Sequence, residues 1–417
     1  MAPLWAHRYA QRTKTVKSSI IRELLKFTTN PAMISFAGGL PAPEVFPVER
    51  FRKACEKILA TASTAALQYG PSEGYKPLRE LIVAQMAKYG IVATVDNVLI
   101  TNGSQQALDL VAKLLINRGD CILVESPTYP GALQAFDLLG AEYVTVPIDG
   151  QGLQTRLLEG ALRSGPKFMY VLPNFQNPGG VTLSEDRRAQ LVWLSDKYGI
   201  PIIEDDPYGQ LRYEGEPIQP LIVLDRINAP RDHGYHFGNV IYLSTFSKVL
   251  APGLRLGWIV APPDVITRFV QLKQSADLHT STFAQMVIYE VAKDGFLDEH
   301  VMTIRQCYKE RRDAMLAALN DFFPPEVNWT HPQGGLFLWV TLPTGVDCMR
   351  LFDEAIKHNV AFVPGQPFFA EGDSGSHMRL NFSHATPEML REGIRRLSIA
   401  VAHEIEHKAS IETPVSA

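Results

Sequence analysis

Cysteines, long hydrophobic runs and an excess of one charge are scarce or absent in this sequence of 417 residues. Only four cysteines occur and none forms a C-x-x-C pair, so neither a disulfide framework nor a thiolate metal site is indicated. They are Cys55, Cys121, Cys307 and Cys348. No run approaches the roughly 20 apolar residues of a membrane span, and no apolar signal segment follows the first methionine. We therefore expect a cytoplasmic protein in a reducing compartment.

The charge is nearly balanced, with 40 Lys and Arg residues against 44 Asp and Glu residues. A net charge of −4 gives no electrostatic reason to bind nucleic acid or an anionic membrane, so we expect small-molecule partners. The segment 1–22 is a local exception, because it contains five basic residues and no acidic one. We expect an exposed N-terminal arm, and a transit peptide is the alternative.

Residues 95–262 alternate short apolar runs with helical stretches, which predicts an α/β fold with a mostly parallel sheet covered on both faces. The candidate strands are 98–101, 121–125, 168–172, 201–204, 240–244 and 256–261. Apolar residues then recur at helical spacing from 296 to 322. A smaller α+β unit with strands at 335–342 and 378–382 follows, so the length and the pattern together predict two domains.

Polar residues follow the candidate strands at their carboxyl ends, which is where open α/β sheets bind ligands. Gly103, Ser104 and Gln105 open a helix, and free N–H groups at a helix start suit a phosphate, with a plain turn as the alternative. Tyr129 follows the second strand, where its ring either stacks on a flat ligand or packs on its own domain. Asn177 follows the third strand, in an Asn-Pro-Gly turn that needs no function to form.

A carboxylate and an amine follow the next two strands. Asp205 ends a buried run, where a carboxylate is costly to desolvate unless it meets a cation such as a protonated ring nitrogen. Lys248 lies between a buried strand and an apolar segment, a position that lowers the pKa of an amine and makes it nucleophilic, as Schiff-base chemistry requires. The alternative is a solvated loop lysine. Arg255 follows seven residues later.

These groups complement one another at one edge of the expected sheet. A phosphate cradle, a stacking ring, an amide, a carboxylate, an amine and an arginine together describe a flat, phosphorylated, nitrogen-containing ring that bears an aldehyde. We therefore expect pyridoxal 5′-phosphate, bound by Lys248 and with Asp205 at its pyridinium nitrogen.

The sequence resembles the class I aminotransferases of fold type I, which use pyridoxal phosphate. The matching segments span nearly the whole chain and include ISFAGGLP at 34–41, QYGPSEG at 68–74, TNGSQQALDL at 101–110 and MRLNF at 378–382. Within this class the chain looks most similar to the 2-aminoadipate (LysN-type) and kynurenine aminotransferase branch, on the AGGLP and TNGSQQALDL segments and the stretch 19–25.

The resemblance implies a large domain with a mostly parallel seven-stranded sheet and a smaller α+β domain. The expected bounds are 1–45 for an N-terminal arm and the first part of the small domain, 46–295 for the large cofactor-binding domain, and 296–417 for the C-terminal small domain. It also implies a homodimer with shared active sites.

The resemblance also implies roles for residues that match the family's motifs. Lys248 binds the cofactor aldehyde and then serves as general base, and Asp205 pairs with the ring nitrogen. The other implied cofactor contacts are Tyr208 and Asn177 at the ring hydroxyl, Tyr129 over the ring, Ser104, Gln105, Thr245 and Arg255 at the phosphate, and Tyr69 at the phosphate of a neighbouring subunit. The implied substrate contacts are Arg379 at the α-carboxylate, together with Asn177, Gly39, Ser19 and Arg22.

The implied reaction moves an amino group from an L-amino acid (2-aminoadipate, aromatic or aliphatic) to 2-oxoglutarate in a ping-pong cycle. We expect Arg22 to bind a distal substrate carboxylate, and a solvated arm arginine is the alternative. The sequence departs from the family at Gly179, where threonine is frequent, and at Thr245, where serine is common. Neither change removes a functional group that these roles require.

Three other interpretations are weighed against transamination. His403 and His407 match an H-E-x-x-H zinc motif, which predicts a metalloprotease only where a third ligand is supplied. A regulator that senses pyridoxal phosphate is the second, although no basic helix-turn-helix segment is recognisable. A lyase or decarboxylase is the third, because fold and cofactor do not fix which bond breaks. The branch resemblance and Arg379 favour transamination.

Overall fold

Helices cover a large sheet and pack around a smaller one in the computed structural model, which describes residues 5, 7–14, 32–228, 238–372 and 375–412. The α-helices of these residues are α1 (Val48–Thr61), α2 (Ser63–Leu67), α3 (Lys76–Ala87), α4 (Ser104–Leu115), α5 (Pro130–Asp137), α6 (Thr155–Leu162), α7 (Glu185–Tyr198), α8 (Leu221–Asn228), α9 (Pro263–Ala276), α10 (Thr282–Ala292), α11 (Phe296–Phe322), α12 (Cys348–Lys357) and α13 (Pro387–Glu412). None of these helices combines the length and hydropathy that crossing a membrane requires. Short 3₁₀ helices in the described residues are Gln11–Lys14, Pro43–Val45, Val95–Asn97, Pro252–Leu254 and Gln366–Phe368.

The strands of the described residues belong to one large sheet, one small sheet and one isolated pair. They are β1 (Ile34–Ser35), β2 (Val98–Thr101), β3 (Cys121–Ser126), β4 (Glu142–Asp149), β5 (Gly152–Leu153), β6 (Met169–Val171), β7 (Ile202–Asp205), β8 (Val240–Thr245), β9 (Gly257–Val260), β10 (Asn328–Trp329), β11 (Phe337–Thr341), β12 (Val360–Ala361), β13 (Val363–Pro364) and β14 (His377–Asn381).

The large sheet has eight strands in the order β2-β9-β8-β7-β6-β3-β4-β5. The run from β4 through β3, β6 and β7 to β8 is parallel, whereas β9 is antiparallel to both of its neighbours. All six predicted strands of this region lie in the sheet, within one residue of their expected bounds. Seven strands were expected, and the additional one is β5, a two-residue strand that forms a hairpin with β4.

The core lies on both faces of this sheet. Strands β2, β6, β7 and β8 are buried along their whole length, and their successive residues contribute to two different apolar clusters. On β7, Ile202 belongs to one cluster and Ile203 to the other, as expected when side chains alternate between the faces. Because β6, β7 and β8 are parallel, the residues that follow them meet at the same edge of the sheet.

The small sheet is antiparallel, in the order β10-β11-β14-β13, and its register places Trp339 opposite Arg379. The long helix α11 begins and ends where the apolar spacing predicted, and it packs against α13. Strand β1 pairs in parallel with β12, so the chain near residue 35 lies beside the C-terminal unit. This pairing is consistent with the expectation that residues 1–45 include the first part of the small domain, and the boundaries 45/46 and 295/296 stay predictions.

Candidate active site

Asp205 is the last residue of β7 and is buried at the carboxyl edge of the large sheet. Its Oδ2 accepts a hydrogen bond of 2.7 Å from the Tyr170 hydroxyl, whereas its buried Oδ1 has no partner within the described part of the chain. Burial and the charge of Asp206, opposed by the hydrogen bond from Tyr170, together raise the pKa of Asp205 to about 7. A cation at Oδ1, such as a protonated ring nitrogen, would hold this carboxylate ionised.

Lys248 follows β8 in the turn after Thr245. Its Nζ donates a hydrogen bond of 2.9 Å to the carbonyl oxygen of Gly39. Burial, together with the positive charges of Arg379 and Arg255, lowers the pKa of Lys248 to about 8. About a tenth of this amine is therefore neutral at pH 7, and the neutral amine is the form that attacks an aldehyde or takes a proton.

Arg379 lies on β14 and is buried. Its Nη1 donates to Oδ1 of Asn177 and its Nη2 donates to the carbonyl oxygen of Ala37, both at 2.8 Å, while Nε has no partner among the residues described. The guanidinium stands over two rings, 4.1 Å from the centroid of Phe337 and 5.1 Å from that of Phe368. Burial lowers the pKa of Arg379 to about 10, so it remains a cation that can bind a carboxylate.

The turn of residues 103–105 has the geometry of an anion site at the start of α4. Gly103 has φ 74°, and Ser104 begins the helix with a buried Oγ that has no partner in the described residues. Gly257 on β9 packs closely behind this turn, because a Cβ there would lie 2.9 Å from the backbone carbon of Gly103 and nitrogen of Ser104. The guanidinium of Arg255 lies beside Gly103, since a Cβ on Gly103 would be 2.6 Å from Nη2.

Gln105 and Thr245 lie near this turn, but their side chains already bind the protein. Gln105 donates from Nε2 to the carbonyl oxygen of Gly131 at 2.7 Å. The Thr245 hydroxyl donates to the carbonyl oxygen of Leu256 at 2.8 Å. Contacts of these two residues with a phosphate therefore stay a proposal.

Two tyrosines and an amide lie at the same edge. The ring of Tyr129 folds onto Gly131, where a Cβ would lie 2.5 Å from the ring. The buried Tyr208 directs its ring edge at Phe337, with the centroids 6.0 Å apart. Burial raises the pKa of Tyr208, and its hydrogen bond with Asn177 lowers it. Asn177 thus contacts both Tyr208 and Arg379.

Tyr69 lies apart from this group, on the surface. Its side chain is 78% exposed, and its ring packs edge-on against His279 at 5.7 Å. Ser19 and Arg22, which the resemblance placed near the substrate, lie outside the described residues.

The H-E-x-x-H segment has ordinary surface partners in this fold. His407 lies 3.2–3.3 Å from the guanidinium of Arg350, and Glu404 pairs with the same arginine at 3.6 Å. No group of three metal-ligating side chains occurs in the part of the chain that is described.

The residues present fit pyridoxal phosphate. Three buried polar atoms lack partners in the described chain where this cofactor and its substrate need them. They are Ser104 Oγ for the phosphate, Asp205 Oδ1 for the ring nitrogen and Arg379 Nε for a substrate carboxylate. Lys248, whose pKa is lowered by burial, supplies the amine. Together these residues offer a hydrogen-bond acceptor on Asp205, a hydroxyl on Ser104 and the basic groups of Arg379 and Lys248. These groups match the polar groups of pyridoxal phosphate and of an amino acid.

Sequence reasoning missed two features of this site. Tyr170 was assigned only to an apolar strand, although a buried tyrosine hydroxyl requires a hydrogen-bond partner, and that requirement was the available signal. The pair of rings that flanks Arg379, Phe337 and Phe368, carries no such signal, because aromatic residues in strands and turns usually belong to the core.

Comparisons with known proteins identify the family of this chain. Residues 34–397 match the model of the family described as aminotransferase class I and II. The chain is 44% identical to "Aromatic-amino-acid aminotransferase 1" of Thermococcus litoralis, over 95% of each chain. It is 43% identical to "2-aminoadipate transaminase" of Thermus thermophilus, over 96% of this chain and 98% of the relative.

A solved structure gives the same result. The crystal structure of LysN, the alpha-aminoadipate aminotransferase of Thermus thermophilus, complexed with N-(5′-phosphopyridoxyl)-L-leucine, superposes with a TM-score of 0.90. The match is 41% identical and covers 97% of this chain and 100% of that one. The resemblance and the fold class predicted from the sequence are confirmed, and this chain belongs to the class I and II aminotransferases, with fold type I.

Proposed function

We propose that this aminotransferase moves the amino group of an L-amino acid, whether 2-aminoadipate, aromatic or aliphatic, to 2-oxoglutarate. Its cofactor is pyridoxal 5′-phosphate, as the sequence predicted. One observation carries the proposal: Arg379 and Lys248 both bind the segment 37–39, through the carbonyl oxygens of Ala37 and Gly39. A substrate whose carboxylate binds Arg379 therefore has its α-carbon near the Lys248 amine.

Different residues of the chain have different roles in the proposed reaction. The bound cofactor supplies a ring that accepts the electron pair released from the amino acid's α-carbon. Arg379, steadied by Asn177, holds the substrate carboxylate and fixes which α-carbon bond faces Lys248. Lys248, as a neutral amine, takes the α-proton and later returns it to the other reacting carbon. Asp205 holds the proton on the ring nitrogen, because its Oδ1 is a buried acceptor.

The phosphate and ring contacts complete the proposed site. The N–H groups of the 103–105 turn, Ser104 Oγ and Arg255 bind the phosphate, with Gln105 and Thr245 beside them. Tyr129 covers the ring, and Tyr208 with Asn177 binds its hydroxyl. Burial of Lys248 and Asp205 excludes water from the reacting atoms, which strengthens each of these charge interactions.

The direct test is a half-reaction followed by visible absorption. The purified protein is mixed separately with 2-aminoadipate, glutamate, leucine and phenylalanine, without an oxo acid. The yellow band of the lysine-bound cofactor should give way to the band of pyridoxamine phosphate, and the order of the rates names the substrate class. Lys248→Ala is the matched control and should show no conversion. A yellow band that no amino acid changes would contradict transamination and would favour a lyase or a protein that only senses the cofactor.

Arg22 is the residue proposed to bind the distal carboxylate of the substrate. The 43% identity to a 2-aminoadipate transaminase supports this substrate, and the segment 19–25 carried the branch resemblance. Arg22→Ala should lower the rate with 2-aminoadipate about tenfold, the loss of one charged hydrogen bond, and leave leucine unchanged. Arg12→Ala, in the same basic arm, is the control. Equal changes with both substrates would overturn the assignment.

We also propose a cytoplasmic homodimer in which Tyr69 binds the phosphate in the neighbouring subunit. The exposure of Tyr69 supports this proposal, because a large aromatic ring at the surface is typical of an interface. The test mixes two weak variants, Tyr69→Ala and Lys248→Ala, under conditions of subunit exchange. A mixed dimer has one intact site, so activity should return. No recovery in a confirmed mixed dimer would contradict shared sites.

A further inference from the structure

Four side chains form a closed hydrogen-bond network behind the 103–105 turn. They are Asn102, Gln106, Lys273 and Asp277, and we refer to them as the brace. Two of them flank the turn at the start of α4, and two lie at the end of α9. The brace therefore joins the turn to a part of the chain that is distant in sequence.

Asn102 and Gln106 are bound both to each other and to Asp277. The Oδ2 of Asp277 accepts hydrogen bonds from Nδ2 of Asn102 at 2.5 Å and from Nε2 of Gln106 at 2.6 Å. The Oε1 of Gln106 accepts the backbone N–H of Asn102 at 2.8 Å. The residues before and after the turn are thus fixed relative to one another, which fixes the direction of the N–H groups between them.

Lys273 is the centre of the brace. Its side chain is fully buried, and its Nζ donates to Oε1 of Gln106 at 2.8 Å and to both oxygens of Asp277 at 2.9 Å. Burial lowers the pKa of Lys273, and the bond to Asp277 raises it. A buried ammonium is tolerated where acceptors meet its N–H groups, and here three acceptor oxygens surround it.

The backbone at the C-terminal end of α9 directs Asp277 toward the other residues of the brace. Asp277 is the residue after the helix, and the following Leu278 has φ 65°, a left-handed conformation that glycine usually takes at a helix end. The N–H groups of Asp277 and Leu278 both donate to the carbonyl oxygen of Lys273. A non-glycine residue in this conformation is strained, and such strain clusters at functional sites.

We propose that Lys273 and Asp277 are positioning residues for the cofactor phosphate. They act through Asn102 and Gln106, which hold the N–H groups of the turn and Ser104 Oγ toward the phosphate. Asp277 neutralises the positive charge of Lys273, so Lys273 contributes to phosphate binding by positioning the turn and not by its charge. Added salt should therefore change this contribution little. This inference rests on the proposed function, because it requires that the turn binds a phosphate.

The test compares two ligands that differ only in the phosphate. Apoprotein of wild type, Lys273→Met and Asp277→Asn is titrated with pyridoxal phosphate and with pyridoxal, and binding is read from absorbance. Lys273→Met should lose at least tenfold in affinity for pyridoxal phosphate, and its affinity for pyridoxal should stay within about twofold. Asp277→Asn keeps the shape of the side chain and should give a smaller loss with the same ligand dependence.

Lys113→Met is the matched control, because Lys113 makes an exposed i,i+4 pair with Asp109 on the same helix as the turn. It should change neither affinity. A Lys273→Met protein that keeps its affinity for pyridoxal phosphate, or loses both ligands equally, overturns the positioning role. A wild-type protein that binds the two ligands equally would instead show that the turn is no phosphate site, and the proposed function would fail at that point.

Discussion

Tyr170 donates a 2.7 Å hydrogen bond to one carboxylate oxygen of Asp205, and the other oxygen is buried without a partner in the described part of the chain. In the proposed function this second oxygen accepts a hydrogen bond from the protonated ring nitrogen. Tyr170 is fully buried, and its ring packs nearly perpendicular to that of Phe136, with the centroids 5.7 Å apart, so packing holds the tyrosine side chain in place. The bond therefore fixes the rotation of the carboxylate. It also opposes burial and the charge of Asp206, both of which raise the pKa of Asp205.

Replacing Tyr170 by phenylalanine should weaken only the interaction between Asp205 and the ring nitrogen of pyridoxal phosphate. Loss of the bond raises the pKa of Asp205 above about 7, so less of the carboxyl is ionised at pH 7. Affinity of the apoprotein for pyridoxal phosphate at pH 7 should fall about tenfold, the effect of one hydrogen bond to a charged group. Affinity for an analogue with carbon in place of the ring nitrogen should not change.

Tyr242→Phe is the control for this prediction. Tyr242 is also buried on the large sheet, but its hydroxyl bonds Asp206 at 3.1 Å rather than Asp205. The carboxyl infrared band of Asp205 in the apoprotein, identified with Asp205→Asn, should titrate at higher pH in Tyr170→Phe only. An unshifted band in that variant would contradict the argument.

Arg379→Lys should destroy selection for the α-carboxylate. An ammonium cannot replace the guanidinium fork that binds Asn177 and Ala37 and still offers Nε. We expect KM for phenylalanine to rise roughly 30-fold, from about 2 kcal/mol of lost charged hydrogen bonding. The rate with phenethylamine, which lacks the carboxylate, should be nearly the same in both proteins. A variant that still prefers the amino acid as strongly as the wild type would disprove the clamp.

The pKa of Lys248 predicts how the apoprotein responds to pH. Below about pH 8 most of the amine is protonated, so the rate of reaction with pyridoxal phosphate should rise about tenfold per pH unit and then level off. An ordinary lysine would level off only above about 10.4. Because Arg379 lowers the pKa of Lys248, Arg379→Met should move the plateau to higher pH, while Arg268→Met, at the surface, should not. A plateau that stays in place would exclude this coupling.

The sequence predicted the interior of the large sheet because burial on both faces leaves continuous apolar runs. Strand β4 was missed for the opposite reason. It lies next to the sheet's edge, only Val146 of its eight residues is buried, and it contains Pro147, so it lacks that pattern. The candidate site residues Asp205 and Lys248 were recoverable for a related reason, since a charged residue at the end of a buried run or in the turn after it requires an explanation.

The supporting contacts were not recoverable from one sequence. Lys273 and Gln106 are 167 residues apart, and no local pattern joins an i,i+4 Lys–Asp pair to a distant turn. On the sequence alone, the pair at 273 and 277 has the same i,i+4 spacing as the exposed pair of Asp109 and Lys113, in the opposite order, and nothing local marks it as buried. The difference is burial, which only the packing of α9 against α4 provides.

Arg188 should be the costliest of the buried charges to remove. It is fully buried on α7 and donates to the carbonyl oxygens of Leu183, Pro173 and Gln219 and to Oδ1 of Asn174, at 2.7–3.0 Å. These bonds secure the start of the segment 173–177, which leads to Asn177. Arg188→Met would remove four hydrogen bonds, three of which lie in the buried interior, so we expect a loss of about 3–5 kcal/mol in the free energy of unfolding.

The adjacent Arg187 provides the comparison for this prediction. It also bonds backbone carbonyls and pairs with Asp149, but the pair is open to solvent, so Arg187→Met should cost about 1 kcal/mol or less. Denaturant unfolding of the two apoproteins measures the difference. Because Asn177 also binds Arg379, Arg188→Met should in addition raise KM for the amino acid, whereas Arg187→Met should not. Equal stabilities would show that the four acceptors find other partners when Arg188 is absent.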